Sequence, residues 1–285
     1  MDSSALYNQL FPSGQIPERE IAAVLDAARW PGLLDYLSAS DAEWLPAGRN
    51  IQNNDAYAVL PYVVKLSGHK DVTQRILDEF GRGKGIFAQL KGNPDIVSLA
   101  VFVDDICKVN LPFGKKAWMR LYDPVIFTEF WHIASAEQKS LIAGQYVDSF
   151  FCENFEEGEL SIFRTEENTK TNAAERLSIS ESQMDILDEL YAERFVKSIA
   201  VQIAEKNIPY DSEEVLILHI KKSIDDAESF GISEHEHIVD YVICNAKHRW
   251  SLLSQSDAMS LISDSKLSPK SRLINLLKYS ESILK

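Results

Sequence analysis

The sequence predicts an α/β (α+β) N-terminal domain with a mixed sheet, followed by an all-α C-terminal domain. Three observations carry this. Short apolar runs of strand character alternate with helical periods over the first 165 residues. Residues 165–178, TEENTKTNAAERLS, are polar and without period, as a linker is. Beyond them every segment reads as helix. The expected domains are therefore 1–165 and 178–285, with the linker at about 165–178.

EIAAVLDAA (20–28) reads as a buried strand running into a turn, with a short helix from about Gly32 to Leu37. AYAVLPYVVKL (56–66) is a second strand, and Pro61, which cannot donate to a ladder, implies an edge position or a bulge. DVTQRILDEFG (71–81) sets Ile76, Leu77 and Phe80 on one stripe, with Gly81 as the stop. GIFAQLKG (85–92) is a strand, and NPDIVSLAVFVDDI (93–106) a helix with Pro94 at its first position.

Residues 107–123 read as a hairpin turning at Pro112-Phe-Gly114. Its second arm would put Ala117, Met119 and Leu121 on one face and Trp118, Arg120 and Tyr122 on the other. A helix follows from Pro124 to about Ile133, then strands at 145–151 and 160–164. In the C-terminal half, Ser180 with Gln183 forms a capping box stapled by Ile179 and Met184. The stripe Met184, Leu187, Tyr191, Phe195, Ile199 follows for about four turns. Asp211 with Glu214 and Ser233 with Glu236 repeat the start signature, Gly231 ends the helix between them, and Ser268-Pro269 opens the last helix.

The chain has 285 residues, a formal charge of −14 and three cysteines. So acidic a surface argues against nucleic acid and anionic membrane as partners, since both are held by clustered Lys and Arg. No apolar window is long enough to span a bilayer. The N-terminal stretch lacks the basic and apolar regions of a secretory signal. Cys107, Cys152 and Cys244 are widely spaced and odd in number, as buried thiols of a reducing cytoplasm are.

The usual marks of catalysis and metal binding fail one by one. Gly81-Arg-Gly-Lys-Gly85 lacks the spacing of a phosphate loop. Asp104 and Asp105 are adjacent, so on a helix they diverge, and a solvated helix end is the expectation. His235-Glu-His237 has i, i+2 spacing where a zinc helix needs i, i+4. No GxSxG elbow is present. The expectation is no catalytic residue, no metal and no cofactor.

Arg120-Leu-Tyr122-Asp123-Pro124 is the stretch that resists dismissal. Asp123-Pro124 is a helix start, with the carboxylate as cap. Arg120 lies among apolar and aromatic residues, where an unpaired guanidinium is costly. It requires a carboxylate, and Asp26, closing the first strand, is the candidate.

These landmarks stand in a recognisable order: Leu25-Asp26-Ala27-Ala28, Pro61-Tyr62-Val-Val-Lys-Leu66, Gly85-Ile-Phe87, then Arg120-Leu-Tyr122-Asp123-Pro124. The chain resembles, over about residues 20 to 250, the bacterial proteins catalogued as domain of unknown function 4123, the type VI secretion adaptors or chaperones. It departs from their pattern with Gly83-Lys84 where Trp commonly precedes the glycine, and with Val125-Ile126 after the proline. The resemblance implies Asp26, Pro61, Tyr62, Gly85, Arg120, Tyr122, Asp123 and Pro124 as family-motif residues. It implies a non-catalytic cytoplasmic adaptor that binds an effector toxin and helps load it onto the VgrG spike, often through a PAAR or other effector segment. Two other readings remain: an enzyme with an interdomain cleft near Arg120, Tyr122 and Asp26, or an immunity protein that neutralises a toxin.

Overall fold

The computed structural model describes residues 3–12, 20–48, 59–66, 70–79, 82–154, 158–164 and 176–283. In chain order the first unit contains α1 (Ser3–Leu10), β1 (Ile21–Asp26), a 3-10 turn (Ala27–Arg29), α2 (Leu33–Ser38), β2 (Trp44–Pro46) and β3 (Pro61–Lys65). It continues with α3 (Lys70–Leu77), β4 (Gly85–Leu90), α4 (Ile96–Cys107), β5 (Lys108–Asn110), a 3-10 turn (Pro112–Gly114) and β6 (Lys116–Trp118). Then come α5 (Pro124–Ile133), α6 (Ala136–Ala143), β7 (Val147–Asn154) and β8 (Glu159–Arg164). Helix α7 (Glu181–Glu205) leads into α8 (Glu213–Ser229), α9 (His235–Lys247), α10 (Ser256–Ile262) and α11 (Pro269–Ile283). The chain divides into two compact units, Met1–Leu187 and Asp188–Lys285, the division falling within α7.

Six strands form one sheet in the order β2-β3-β1-β4-β7-β8. Every pairing in it is antiparallel, not mixed as expected. The reason for the error is physical. A strand buried on both faces reads as a continuous apolar run whatever its direction, and such runs are commonest in parallel sheets.

Both faces of this sheet are covered. Ala22, Val24, Ile86, Ala88 and Leu90 pack with Leu99 and Val103 of α4, Phe127 and Phe130 of α5, and Ile142 of α6. Ile21, Ala23, Leu25, Tyr62 and Phe87 pack with Leu6 and Leu10 of α1, Leu33 and Leu37 of α2, and Ile76 and Leu77 of α3. Period-2 alternation thus feeds two cores.

Several local expectations shift. Pro61 opens β3, an interior strand between β2 and β1, so neither edge nor bulge is needed. Helix α4 is capped by Asp95, whose carboxylate accepts from the Ser98 N–H at 2.9 Å, so Pro94 precedes the cap. Arm β6 ends at Trp118, so residues 119–123 form a turn and Leu121 and Tyr122 are both buried. Phe80 and Gly81, residues 56–58 and linker residues 165–175 lie outside the described residues.

The Ser180–Gln183 capping box is present, the Gln183 N–H donating to Ser180 Oγ at 3.2 Å. Met184 and Leu187 pack on the first unit's core, whereas Tyr191 is exposed and Val196, Ile199 and Ile203 face the second core. Helix α8 is capped by Ser212, one residue after Asp211. Helix α9 begins after Glu234, with no side-chain cap from Ser233. Ile220, Ala227, Ile238, Val242, Leu273 and Leu276 form the second unit's core. No helix among the described residues is long and apolar enough to cross a membrane.

Candidate functional site

The residues that carry the resemblance, spread over nearly a hundred positions, meet at one end of the sheet. In the register, Asp26 of β1 faces Pro61 of β3, and Leu25 faces both Tyr62 and Gly85 of β4. The Asp26 N–H donates to the Lys84 carbonyl at 2.7 Å and the Ala27 N–H to the Leu60 carbonyl at 3.3 Å, closing that end. Tyr62 is fully buried, its ring tilted against Trp44. Gly85 is there because nothing larger fits: a Cβ would stand 2.3 Å from the Val24 carbonyl oxygen.

The turn after β6 docks on this end. Arg120 donates from Nη2 to Asp26 Oδ2, the pairing expected from the sequence. The other Asp26 oxygen accepts from the Ala28 N–H at 3.1 Å. Asp123 caps α5 through the Val125 N–H at 3.0 Å, with Pro124 at the first helical position. Its second oxygen takes Arg29 Nη2 at 2.7 Å. Arg29 also stands 3.9 Å from Asp26 and donates to the Gly83 carbonyl at 3.2 Å. Two buried carboxylates and two guanidinium groups thus form a neutral, mutually engaged set.

Tyr122 shields it. Its ring lies 5.8 Å from the Arg120 guanidinium carbon. Burial, reinforced by the negative Asp26, pushes the Tyr122 phenol up to about 12. For Arg120, burial works against its charge, but the pairing with Asp26 prevails and the pKa is raised. Its buried Nε has no partner among the described residues.

Arg29 is the member that sequence reasoning missed. Its signal was the i, i+3 spacing from Asp26, which is unremarkable until Asp123 is seen to arrive at the same place. The glycine-rich connection is also occupied by protein: the Gly83 N–H donates to Glu153 at 2.9 Å, and Lys84 is held by Glu79 at 2.8 Å over the Trp30 ring. A loop built for phosphate would leave such donors for the ligand.

Other sequence candidates separate. Asp104 is buried and paired with Lys108, not solvated as expected, while Asp105 is exposed. His235 lies against Tyr191 and Phe195, and His237 pairs with Glu234 at 3.0 Å. His219 stacks on Trp250, and His248 meets Ser280 at 2.7 Å. Among the described residues no three His, Cys, Asp or Glu side chains converge as a metal site. The three thiols are buried, and burial raises the pKa of each.

Residues 23–141 match the family model of a domain of unknown function, DUF4123. That span contains the whole cluster from Asp26 to Pro124. No curated protein matches the chain, and no solved structure does.

Proposed function

We propose that this chain is a cytoplasmic adaptor or chaperone that binds an effector toxin of a type VI secretion system and helps load it onto the VgrG spike. The observation that carries the reading is the match of residues 23–141 to domain of unknown function 4123. Within it, the landmarks of the resemblance fall together at one end of the sheet.

The chemistry of the cluster supports a non-catalytic role. All four oxygens of Asp26 and Asp123 are engaged by guanidinium or backbone N–H groups. A general acid or base needs an accessible group poised near the operating pH. The Tyr122 phenol at about 12 and thiols raised by burial are inert at neutrality. The cluster instead fixes the turn after β6 and the start of α5 onto the sheet, a rigid frame from which surfaces can be offered.

The test is co-expression with the spike and effector proteins encoded beside this gene, followed by size-exclusion chromatography with light scattering. A stable complex with the effector, and its transfer to the spike protein, is the expected result. A monodisperse chain that associates with neither overturns the proposal.

A further inference from the structure

The hairpin of β5 and β6 has one face in the core and one in water. Lys108 faces Trp118 and Asn110 faces Lys116, while Val109 and Ala117 point to the core between them. Segment 176–179 continues this small layer: the Asn110 N–H donates to the Leu177 carbonyl at 2.8 Å, and the Ile179 N–H to the Asn110 carbonyl at 2.9 Å. Leu177 and Ile179 are buried and Arg176 is exposed, so Arg176 shares the outward face.

Three features of the hairpin add nothing to its core. Phe113 at the tip is 85% exposed, and the tight turn over Pro112–Lys115 holds it at φ +61°, a left-handed conformation that a bulky side chain disfavours. Trp118, at the far end of β6 on the outward face, is 39% exposed. Lys115 and Lys116, both exposed, have no ion pair among the described residues, whereas Lys108 is taken up by Asp104.

The outer edge of β6 is also open. Leu111 N–H to Lys115 carbonyl and Met119 N–H to Cys107 carbonyl set the hydrogen-bonded pairs at alternate positions. By that alternation the backbone groups of Lys116 and Trp118 point away from β5. Among the described residues nothing pairs with them. Lysines commonly protect such an edge from chance pairing, but protection alone does not call for an exposed Phe and Trp beside it.

We propose that the β6 edge, with Lys115, Lys116, Phe113 and Trp118, docks an extended acidic segment of a partner polypeptide by strand addition. Charge selects this occupant. The chain carries a net −14, so an acidic segment is repelled by its surface at large, and Lys115 and Lys116, without an ion pair among the described residues, offer it two adjacent positive charges at this edge. The ladder supplies affinity, and the two aromatic rings take apolar side chains at alternate positions. That the segment belongs to cargo rests on the adaptor reading; the surface itself does not.

The test uses the full chain and a short fluorescein-labelled peptide alternating Glu and Val, read by anisotropy. Saturable binding is expected, weakening steeply as salt rises. Lys115→Glu with Lys116→Glu should weaken it about tenfold or more, and Phe113→Gly about threefold. Phe113→Gly relieves the backbone strain, so its melting temperature should match or exceed the parent's. A peptide N-methylated at alternate residues, unable to form the ladder, should not bind. Absence of saturable binding, indifference to the lysine changes, or tighter binding of a single-stranded oligonucleotide each overturns the proposal. A spike–effector complex formed without peptide binding removes only this surface; peptide binding without such a complex removes only the adaptor reading.

Discussion

Asp26 and Arg120, 94 positions apart in the chain, form an ion pair whose two members are unequally placed. The Asp26 side chain is fully buried, while that of Arg120 is 37% exposed. An ion pair at such a boundary has an asymmetric dependence on its members: the half that can reach water tolerates separation, and the half that cannot does not. Arg29 stands too far from Asp26, at 3.9 Å, to replace Arg120 without rearrangement.

Loss of the cation should therefore cost more than loss of the anion. Arg120→Met strands a buried carboxylate and is expected to destabilise by about 3 kcal/mol. Asp26→Asn keeps the acceptor for the Ala28 N–H and lets Arg120 turn to solvent, for about 1–2 kcal/mol. Combined, the two changes should cost less than their sum, because neither charge is then left alone. Urea unfolding of the four proteins measures this; Asp26→Asn proving the more damaging would refute the asymmetry.

Asp123 has two separable duties, the α5 cap and the pair with Arg29. Asp123→Ser retains the cap and gives up the pair, whose cation is 41% exposed and so contributes little. The expected loss is about 0.5 kcal/mol. Asp123→Ala removes both and should cost about 2 kcal/mol. Equal losses in the two variants would mean that the cap contributes nothing.

Much of this corner was legible in the sequence, and its failures have local causes. The Asp123-Pro124 cap is a contiguous signal, and it stands where expected. The Asp26–Arg120 pair followed from the cost of an orphan guanidinium, although Arg120 sits in a turn and not on the strand expected for it. Arg29 was illegible because its meaning depends on Asp123, and long-range coincidence leaves no local trace. The sheet's direction was hidden for another reason: burial on both faces erases the alternation that distinguishes a half-exposed antiparallel strand. Helices α6 and α10 were missed because each is short and weakly patterned, held by its neighbours.

Gly85 is fixed by proximity. Its Cα lies so close to β1 that an added Cβ would stand 2.3 Å from the Val24 oxygen, and backbone on an interior strand cannot retreat as a flexible side chain can. Gly85→Ala should cost about 3 kcal/mol despite the usual gain from replacing glycine in a strand. Gly92, with nothing within 4 Å but φ +70°, is the control. Gly92→Ala meets only backbone strain and should cost about 1 kcal/mol. Thermal melts of both variants decide it, and a Gly85→Ala protein as stable as the parent would remove the close approach as its cause.

Tyr122 links the cluster to alkaline stability, and the sign follows from where its proton is held. In the unfolded chain the phenol ionises near its ordinary value of 10.0, whereas burial holds it to about 12 in the fold. Below pH 10 both states keep the proton and the contribution is complete. Between 10 and 12 the unfolded state loses the proton first, so stability falls as pH rises through that window. Tyr122→Phe removes this dependence. At neutral pH only the hydroxyl is removed, and the change should cost about 0.5 kcal/mol. Tyr241 and the buried thiols, also raised, keep some alkaline slope in both proteins. Stability measured by urea unfolding should thus fall more steeply for the parent than for the variant as pH rises from about 9 to about 11.5. Parallel curves would mean that the phenol is titrated in the folded protein as it is in the unfolded one.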